Sequence, residues 1–207
     1  MYIVFEGVDG AGTSTHAKLL ADTLSLCTPY DYNPTFRLAE PSANPIGRLL
    51  REELKGEADP ISTALLFAAD RSRYHTQYNY DMPDVFFVSD RSKYSSFAYQ
   101  LLDLPETVGP YDAFTWLQII NCGAPEPDLI FFLDASPSVI KDRISRRTNK
   151  DRYDHRTQEV QQSYSRVFQG MGNVVKVDTS RPTDVVAGII HTIARTSYAE
   201  ILRGIRR

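Results

Sequence analysis

The chain has 207 residues, of which 42% are hydrophobic and 24% charged, and it contains 11 Gly and 12 Pro. This composition predicts one domain spanning residues 1–207, with a core large enough to need neither a disulfide nor a structural metal. The net charge of -3 argues against a protein that coats nucleic acid, and no apolar run is long enough to span a bilayer.

A strand-like run begins at Tyr2, so we expect no signal peptide and a cytoplasmic location. Further continuous apolar runs follow, at residues 36–39, 85–88, 129–133 and 174–177, a pattern typical of strands covered on both faces. Stripes at helical spacing lie between them, at Ala17, Leu20, Leu24 and Cys27, at Ile61, Ala64, Leu65, Ala68 and Ala69, and at Val185, Val186, Ile189, Ile190 and Ile193. This alternation predicts an α/β fold in three layers, a five-stranded parallel sheet with helices on both faces.

A glycine-rich loop follows the first strand. Residues 7–14 match the phosphate-binding pattern G-x-x-x-x-G-K-[ST], except that Thr13 stands where the lysine belongs. In this pattern the glycines let backbone amides turn toward phosphate oxygens, the helix N-terminus adds positive potential, and the Ser14 hydroxyl is available to Mg²⁺. The alternative is a glycine-rich turn that only connects a strand to a helix. The candidate phosphate-binding residues are Gly7, Gly10, Ala11, Gly12, Thr13, Ser14 and Thr15.

Polar residues also follow two later strands. Asp90 can bind Mg²⁺ directly or through water, and the neighbouring Arg91 is suited to a bidentate phosphate contact, although a surface ion pair explains these two residues equally well. We expect Asp134 to be the N-cap of a helix that begins near Pro137.

Two other features concern arginines and cysteines. Residues 143–156 are rich in Arg and Lys and lack an apolar stripe, which predicts a mobile basic loop.

Cys27 and Cys122 match no disulfide or metal-ligand spacing, so we expect two buried, reduced side chains.

Together these segments resemble the thymidylate kinase family, P-loop enzymes that transfer the γ-phosphoryl group of ATP to dTMP. The matching strings lie in the family order between residues 2 and 170: FEGVDGAG at 5–12, EP at 40–41, PIG at 45–47, LLFAADR at 65–71, DR at 90–91, SSFAYQ at 95–100, PDL at 127–129, LD at 133–134 and DRYD at 151–154. The resemblance implies a P-loop NTPase fold with a short basic lid at about residues 143–156, and Mg²⁺ as the cofactor. It also implies a homodimer packed through the helices after strands two and three.

For the acceptor's base and sugar, the resemblance implies five contacts. Phe67 stands where the family stacks a phenylalanine on thymine, and Arg71, on the same face of a helix, where an arginine contacts a base carbonyl. Ser96 and Gln100 match positions that hydrogen-bond the base. Tyr99 matches the tyrosine that crowds the 2′ position of the sugar and so favours deoxyribose.

For the phosphates, the resemblance implies a further set of residues. Asp9 matches the acidic residue near the acceptor's 3′-hydroxyl and the magnesium, and Arg51 and Arg91 match the arginines that hold the acceptor's phosphate. A solvated helix face explains Arg51 nearly as well. Ser14 and Asp90 are the candidate metal ligands.

The family's catalytic arginine lies either in the P-loop or in the lid. Gly10 occupies the P-loop position, so the charge is expected from the lid, where Arg147 and Arg152 are the candidates. A lid arginine would stabilise the charge that spreads over oxygens in the transition state of phosphoryl transfer. The sequence does not decide which of Arg143, Arg146, Arg147 and Arg152 makes the contact. The predicted catalytic residues are Asp9, Arg91, Arg147 and Arg152.

Three departures from the family pattern leave alternatives open. Without the lysine that Thr13 replaces, either Lys18, Lys93 or a lid arginine supplies the charge, or the enzyme is slow, or the chain binds nucleotide without catalysis. Ser92 replaces an aromatic residue and Ala39 a basic one, so a kinase for another nucleoside monophosphate is a second alternative. The sequence contains no Asn-Lys-x-Asp string after the fourth strand, which argues against a GTPase switch.

Overall fold

The structure is a computed structural model that describes residues 1–26, 34–146 and 153–204. Its strands are β1 (Tyr2–Gly7), β2 (Thr35–Ala39), β3 (Phe86–Asp90), β4 (Thr107–Val108), β5 (Tyr111–Asp112), β6 (Leu129–Asp134) and β7 (Val174–Asp178). Five of them form a parallel sheet in the order β2-β3-β1-β6-β7, and β4 and β5 form a separate antiparallel pair. Each predicted strand overlaps one strand of the parallel sheet, so the predicted sheet is confirmed.

Helices cover both faces of this sheet, as predicted. They are α1 (Thr13–Leu26), α2 (Pro45–Glu53), α3 (Pro60–His75), α4 (Lys93–Tyr99), α5 (Ala113–Ile120), α6 (Pro137–Ser145), α7 (Thr157–Val167) and α8 (Thr183–Leu202), with 3₁₀ turns at Gln100–Leu102 and Asp154–Arg156. Helix α1 packs on β1, β2 and β3 and contacts α8, whereas α4 contacts β1 and α7. None of the helices within the described residues is long and apolar enough to cross a lipid bilayer.

The central strands explain the continuous apolar runs in the sequence. All six residues of β1 are buried, as are the first five of β6, and the Phe5 and Phe131 rings stack at 5.1 Å between these strands. Burying a side chain of this size contributes about 1.5–3 kcal/mol, so these two strands anchor the core. Strands β3 and β6 flank β1 and the chain crosses to either side of it, so ligands are expected beyond its carboxyl end.

Three predictions from sequence are wrong or need new boundaries. Residues 143–145 of the predicted basic loop belong to α6. The N-cap of α6 is Ser136, because an N-cap directly precedes the first helical residue, here Pro137, and Asp134 lies two positions too early. Cys122 is exposed, just beyond the end of α5, rather than buried. Cys27 lies outside the described residues.

Candidate active site

The glycine-rich loop joins the carboxyl end of β1 to the first turn of α1, which begins at Thr13. Gly10 and Gly12 have φ angles of 86° and 96°, a region that residues with a Cβ rarely adopt. A hydrogen bond of 3.0 Å from the Ala11 amide to the Val8 carbonyl oxygen closes the turn. The loop therefore brings the start of α1, with its free amides, to the edge of the sheet where an anion can bind.

The residues predicted to hold Mg²⁺ lie side by side. Asp90 ends β3 next to Phe5 of β1, and the Ser14 hydroxyl donates a hydrogen bond to its Oδ2. The other carboxylate oxygen, Oδ1, is buried and has no hydrogen-bond partner. Carboxylate and hydroxyl oxygens are ligands suited to Mg²⁺, so these two residues fit the ion. No group of three or more His, Cys, Asp or Glu that could hold a metal occurs in the part of the chain described, so further ligands would come from substrate phosphates or water.

A cavity of about 450 Å³ lies beside the loop and the end of β3. Its size is that of a small-molecule site, and its lining draws on several elements that are far apart in sequence. The lining residues include Asp9, Gly10, Thr13, Ser14, Phe67, Arg71, Asp90, Arg91, Tyr99, Gln100 and Tyr153.

Arg91 is fixed within this cavity by several contacts. Its backbone φ of 77° is unusual for a residue other than glycine, and its guanidinium turns toward the glycine-rich loop. Nη2 donates to Asp9 Oδ1 at 2.8 Å, while Nη1 donates to the Gly7 carbonyl and, at 2.9 Å, to the Tyr164 hydroxyl. The guanidinium carbon also lies 5.2 Å from the centroid of the Tyr99 ring, within range for a cation–π contact.

Arg71 is buried in the wall of the cavity. Its Nε donates to Glu40 Oε2 at 2.7 Å, and further N–H groups contact Asn121 Oδ1 and the Ser96 hydroxyl. The Glu40 side chain is buried as well, and its other carboxylate oxygen lies 2.9 Å from His75 Nε2. Burial raises the pKa of Glu40, but the charge of Arg71 and the contact with His75 outweigh it and lower the pKa below its ordinary value. Sequence reasoning noted Glu40 only as part of a motif and missed this ion pair.

The other residues predicted to contact the base differ in how they meet the cavity. Phe67 is half-buried and lines it, and the Gln100 side chain lines it with an amide oxygen that is buried without a hydrogen-bond partner. Tyr99 lines it too, with its hydroxyl 3.4 Å from the Gly7 carbonyl oxygen. Ser96 is not brought to the lining, since its hydroxyl faces Arg71, and the adjacent Ser95 occupies the wall instead.

Arg51 is not among the residues that line the cavity. Its guanidinium donates to the carbonyl oxygens of Ser42 at 2.7 Å and of Gly47 at 3.2 Å, and also to that of Pro41. Arg51 therefore braces the segment that joins β2 to α2.

The two lysines considered as substitutes at position 13 are engaged elsewhere. Lys18 forms an ion pair with Asp22 on the exposed side of α1, and Lys93 pairs with Glu126. A cation from the basic segment does reach the loop: Arg143 Nη1 donates to the Gly10 carbonyl at 3.1 Å, and Nη2 donates to the Thr179 carbonyl at 2.7 Å. Arg147 and Arg152 lie outside the described residues.

The far side of the basic segment is also anchored near the cavity. Tyr153 lines the cavity, and its hydroxyl donates to Asp103 Oδ2 at 2.5 Å. Arg156 Nη1 donates to the other oxygen of Asp103, and Nη2 pairs with Glu159. Arg156, predicted to belong to the basic loop, is thus held by two carboxylates.

A buried carboxylate beneath the loop was missed from sequence. Glu6 is fully buried in β1, and it accepts hydrogen bonds of 2.7 Å from the hydroxyls of Ser92, Ser95 and Tyr164. Burial raises the pKa of Glu6 above its ordinary value, and Arg91 and the three hydroxyls offset only part of this effect. The signal in the sequence was a charged residue within an otherwise apolar strand, but its partners lie up to 158 positions away.

Comparison with known proteins identifies relatives of this arrangement. The family model described as thymidylate kinase matches residues 5–190. A probable thymidylate kinase of Pyrobaculum aerophilum is 34% identical over 200 residues, covering 94% of this chain and 96% of its own. One from Methanosphaera stadtmanae is 33% identical, covering 90% of this chain and 93% of its own. The solved structure of thymidylate kinase from Candida albicans superposes with a TM-score of 0.72 at 25% identity, covering 95% of this chain and 92% of that one.

Proposed function

Because the chain belongs to the thymidylate kinase family, we propose that it transfers the γ-phosphoryl group of ATP to dTMP, giving dTDP and ADP. The observation that carries this proposal is the single cavity lined by both the glycine-rich loop and the acceptor-side residues Phe67, Tyr99 and Gln100. Phosphoryl transfer needs donor and acceptor held in line with little water between them, and a cavity shared by both sets of residues supports such an arrangement.

On the donor side, we propose that backbone amides between Gly7 and Thr15 hold the phosphates of ATP. The start of α1 and the positive φ angles of Gly10 and Gly12 support this role. Ser14 and Asp90 would hold Mg²⁺, which supplies charge neutralisation at the phosphate oxygens. The unpartnered Oδ1 of Asp90 supports this assignment.

On the acceptor side, we propose that Phe67 stacks on the thymine ring and that the Gln100 amide hydrogen-bonds its edge. A buried amide oxygen without a partner is unfavourable, so a ligand that supplies the missing donor would bind well there. Arg71 supplies a guanidinium in the same wall, kept in place by Glu40. Tyr99 would restrict the sugar to deoxyribose.

For the phosphate of dTMP we propose Arg91, with Asp9 orienting the guanidinium and lying near the 3′-hydroxyl. The contacts to Asp9 and Gly7 keep the charge of Arg91 beside the loop before any substrate binds, which lowers the reorganisation needed in the transition state. We propose an indirect role for Arg51, which is to hold the segment between β2 and α2 in place through its hydrogen bonds to backbone carbonyls.

Because Thr13 replaces the P-loop lysine, the positive charge at the donor phosphates must come from another residue. Lys18 and Lys93 are paired with carboxylates, which favours arginine as the substitute. We assign this role to the lid residues Arg147 and Arg152, with Arg143 holding the loop through the Gly10 carbonyl.

We also propose that the protein is a cytoplasmic homodimer. Leu49 of α2 and Leu65 of α3 are 50% and 46% exposed, and Ala69 of α3 is exposed too. Burial of these apolar side chains against a second copy would be favourable.

A coupled assay that offers each deoxynucleoside monophosphate with Mg²⁺ and ATP tests the activity. Turnover on dTMP well above the other acceptors is the expected result. Preference for another monophosphate would change the assigned acceptor, and nucleotide binding without ADP release would instead identify a catalytically idle relative.

A further inference from the structure

We propose that Tyr164 is a positioning residue for phosphoryl transfer: its hydroxyl, backed by the buried carboxylate of Glu6, holds the guanidinium of Arg91 in the cavity. This inference rests on the proposed role of Arg91 at the acceptor's phosphate. Tyr164 belongs to α7, which follows the basic segment, whereas Glu6 lies near the end of β1 and Arg91 directly follows β3.

The three groups form a chain of hydrogen bonds. The Tyr164 oxygen lies 2.7 Å from Glu6 Oε2 and 2.9 Å from Arg91 Nη1. With Glu6 ionised, its carboxylate can only accept and the guanidinium can only donate, so the phenol donates to Glu6 and accepts from Arg91. Burial raises the pKa of Tyr164, which keeps the phenol protonated and this direction unchanged.

The charges at the two ends of this chain strengthen both bonds. Hydrogen bonds to ionised groups are stronger than neutral ones, and a connected network polarises its central hydroxyl, which here also lies 3.0 Å from the Ser95 hydroxyl. The carboxylate of Glu6 therefore makes the Tyr164 oxygen a better acceptor for Arg91. Ser92, where the family commonly has an aromatic residue, and Ser95 donate the remaining hydrogen bonds to Glu6.

The ring of Tyr164 is held independently of its hydroxyl. It is fully buried, stacks on Phe168 at 5.6 Å, and packs on Phe132 at 5.5 Å and edge-on to Tyr99 at 5.9 Å. A phenylalanine at this position would keep these contacts. Loss of the hydroxyl would leave Arg91 Nη1 with the Gly7 carbonyl and Glu6 Oε2 with Ser95, so the fold should persist while the guanidinium gains freedom.

Tyr164→Phe is the direct test, with Tyr94→Phe as a matched control. Tyr94 also donates to a carboxylate, Glu126 Oε2 at 3.0 Å, but it is not part of the proposed substrate machinery. We expect kcat with dTMP to fall at least tenfold in Tyr164→Phe, with KM for ATP changed less than threefold, and to stay within twofold of the parent in Tyr94→Phe. A kcat within twofold of the parent in Tyr164→Phe would overturn the proposal.

A double-mutant cycle separates positioning from general damage. If Tyr164 acts through Arg91, adding Tyr164→Phe to Arg91→Ala should cause less than a twofold further loss of kcat. If the losses of kcat in the two single variants instead multiply in the double variant, Tyr164 acts independently of Arg91. Glu6→Gln keeps the volume of the side chain and removes its charge, so it should also lower kcat, but by less than Tyr164→Phe. It serves as the test if Tyr164→Phe does not fold. A parent-like kcat in Glu6→Gln would count against the proposal.

Calorimetric titration with dTMP tests the proposal even if the parent protein proves inactive. Arg91 is assigned to the acceptor's phosphate, so Tyr164→Phe should weaken dTMP binding at least fivefold, and Tyr94→Phe should not. Unchanged affinity would reject the positioning role, whereas absent turnover in the parent would reject only the proposed function.

Discussion

Thr13 occupies the position at which P-loop enzymes carry a lysine, and its side chain is buried against the cavity. Lys18 and Lys93, the lysines nearest in sequence, are paired with Asp22 and Glu126, which favours another source of positive charge. The guanidinium groups of Arg91 and Arg143 do contact the loop, through the carbonyls of Gly7 and Gly10. Positive charge near the donor phosphates is therefore expected from arginine side chains carried by other elements.

Thr13→Lys should leave kcat/KM for ATP within about tenfold of the parent, or raise it, since the new ammonium adds charge where β- and γ-phosphate oxygens are expected. Steady-state kinetics with varied ATP measures this effect. Ser25→Lys, on the same helix but far from the loop, is the control for added charge. A collapse of activity in Thr13→Lys alone would mean that the loop accommodates only the smaller side chain.

The buried pair of Glu40 and Arg71 makes a prediction about acid stability. Because the pKa of Glu40 is lowered in the folded state, its contribution to stability is complete above its ordinary value of 4.5 and is lost as the pH falls through the folded-state value. Glu40→Gln removes this dependence and leaves Arg71 buried without its counter-charge, which typically destabilises by about 3–5 kcal/mol at neutral pH.

Urea unfolding followed by circular dichroism between pH 7 and about pH 2.5 measures both effects, because the contribution of Glu40 is lost only below its ordinary value of 4.5. The free energy of unfolding should fall less steeply with acid in Glu40→Gln than in the parent protein. Glu52→Gln, which removes an exposed carboxylate paired with Lys55, should follow the parent curve. Parallel pH curves for the parent and Glu40→Gln would contradict the proposed ion pair.

At the scale of elements, the basic segment is tethered on both sides of residues 147–152. Arg143, in the last turn of α6, contacts the loop at Gly10. On the other side, Tyr153 and Arg156 contact Asp103, which follows α4 and its 3₁₀ turn. Both tethers join this segment to elements that contribute Gly10, Gln100 and Tyr153 to the lining of the cavity.

Arg147→Ala and Arg152→Ala test the lid assignment. At least one of them should lower kcat tenfold or more while raising KM for either substrate by less, as expected for a contact made mainly in the transition state. Arg146→Ala is a suitable control, because that guanidinium is exposed and paired with Asp142 one helical turn earlier. Parent-like kcat in both lid variants would reject the assignment.

At the scale of the whole molecule, the apolar residues exposed on α2 and α3 predict self-association. Leu65→Asp should shift the protein from dimer to monomer, since a charge would lie in the buried interface without a partner. Light scattering after size-exclusion chromatography measures the mass. Val185→Asp, which changes a side chain of similar exposure on α8, should not alter it. A parent protein that is already monomeric would disprove the proposed dimer.

Several features were predictable because they depend on local patterns. Strands β1 and β6 are covered on both faces, and this leaves continuous apolar runs in the sequence. The stripe on α1 was likewise predictable, since Ala17, Leu20 and Leu24 are buried at helical spacing. On α3 the predicted apolar stripe is only partly buried, because Ala64 and Ala68 are buried but Leu65 is exposed.

The sequence alone therefore predicted the five-stranded parallel sheet, the glycine-rich loop and the resemblance to a family of kinases, because each depends on a periodicity or a motif within a few residues. Only the tertiary structure determined the contacts that hold Arg91, the partners of the buried carboxylates of Glu6 and Glu40, and the exposure of Cys122. It also showed that Asp134 forms an ion pair of 2.7 Å with Lys176. The partners in these contacts are mostly tens of residues apart, and no pattern within a single segment reports which side chains meet when the strands and helices assemble.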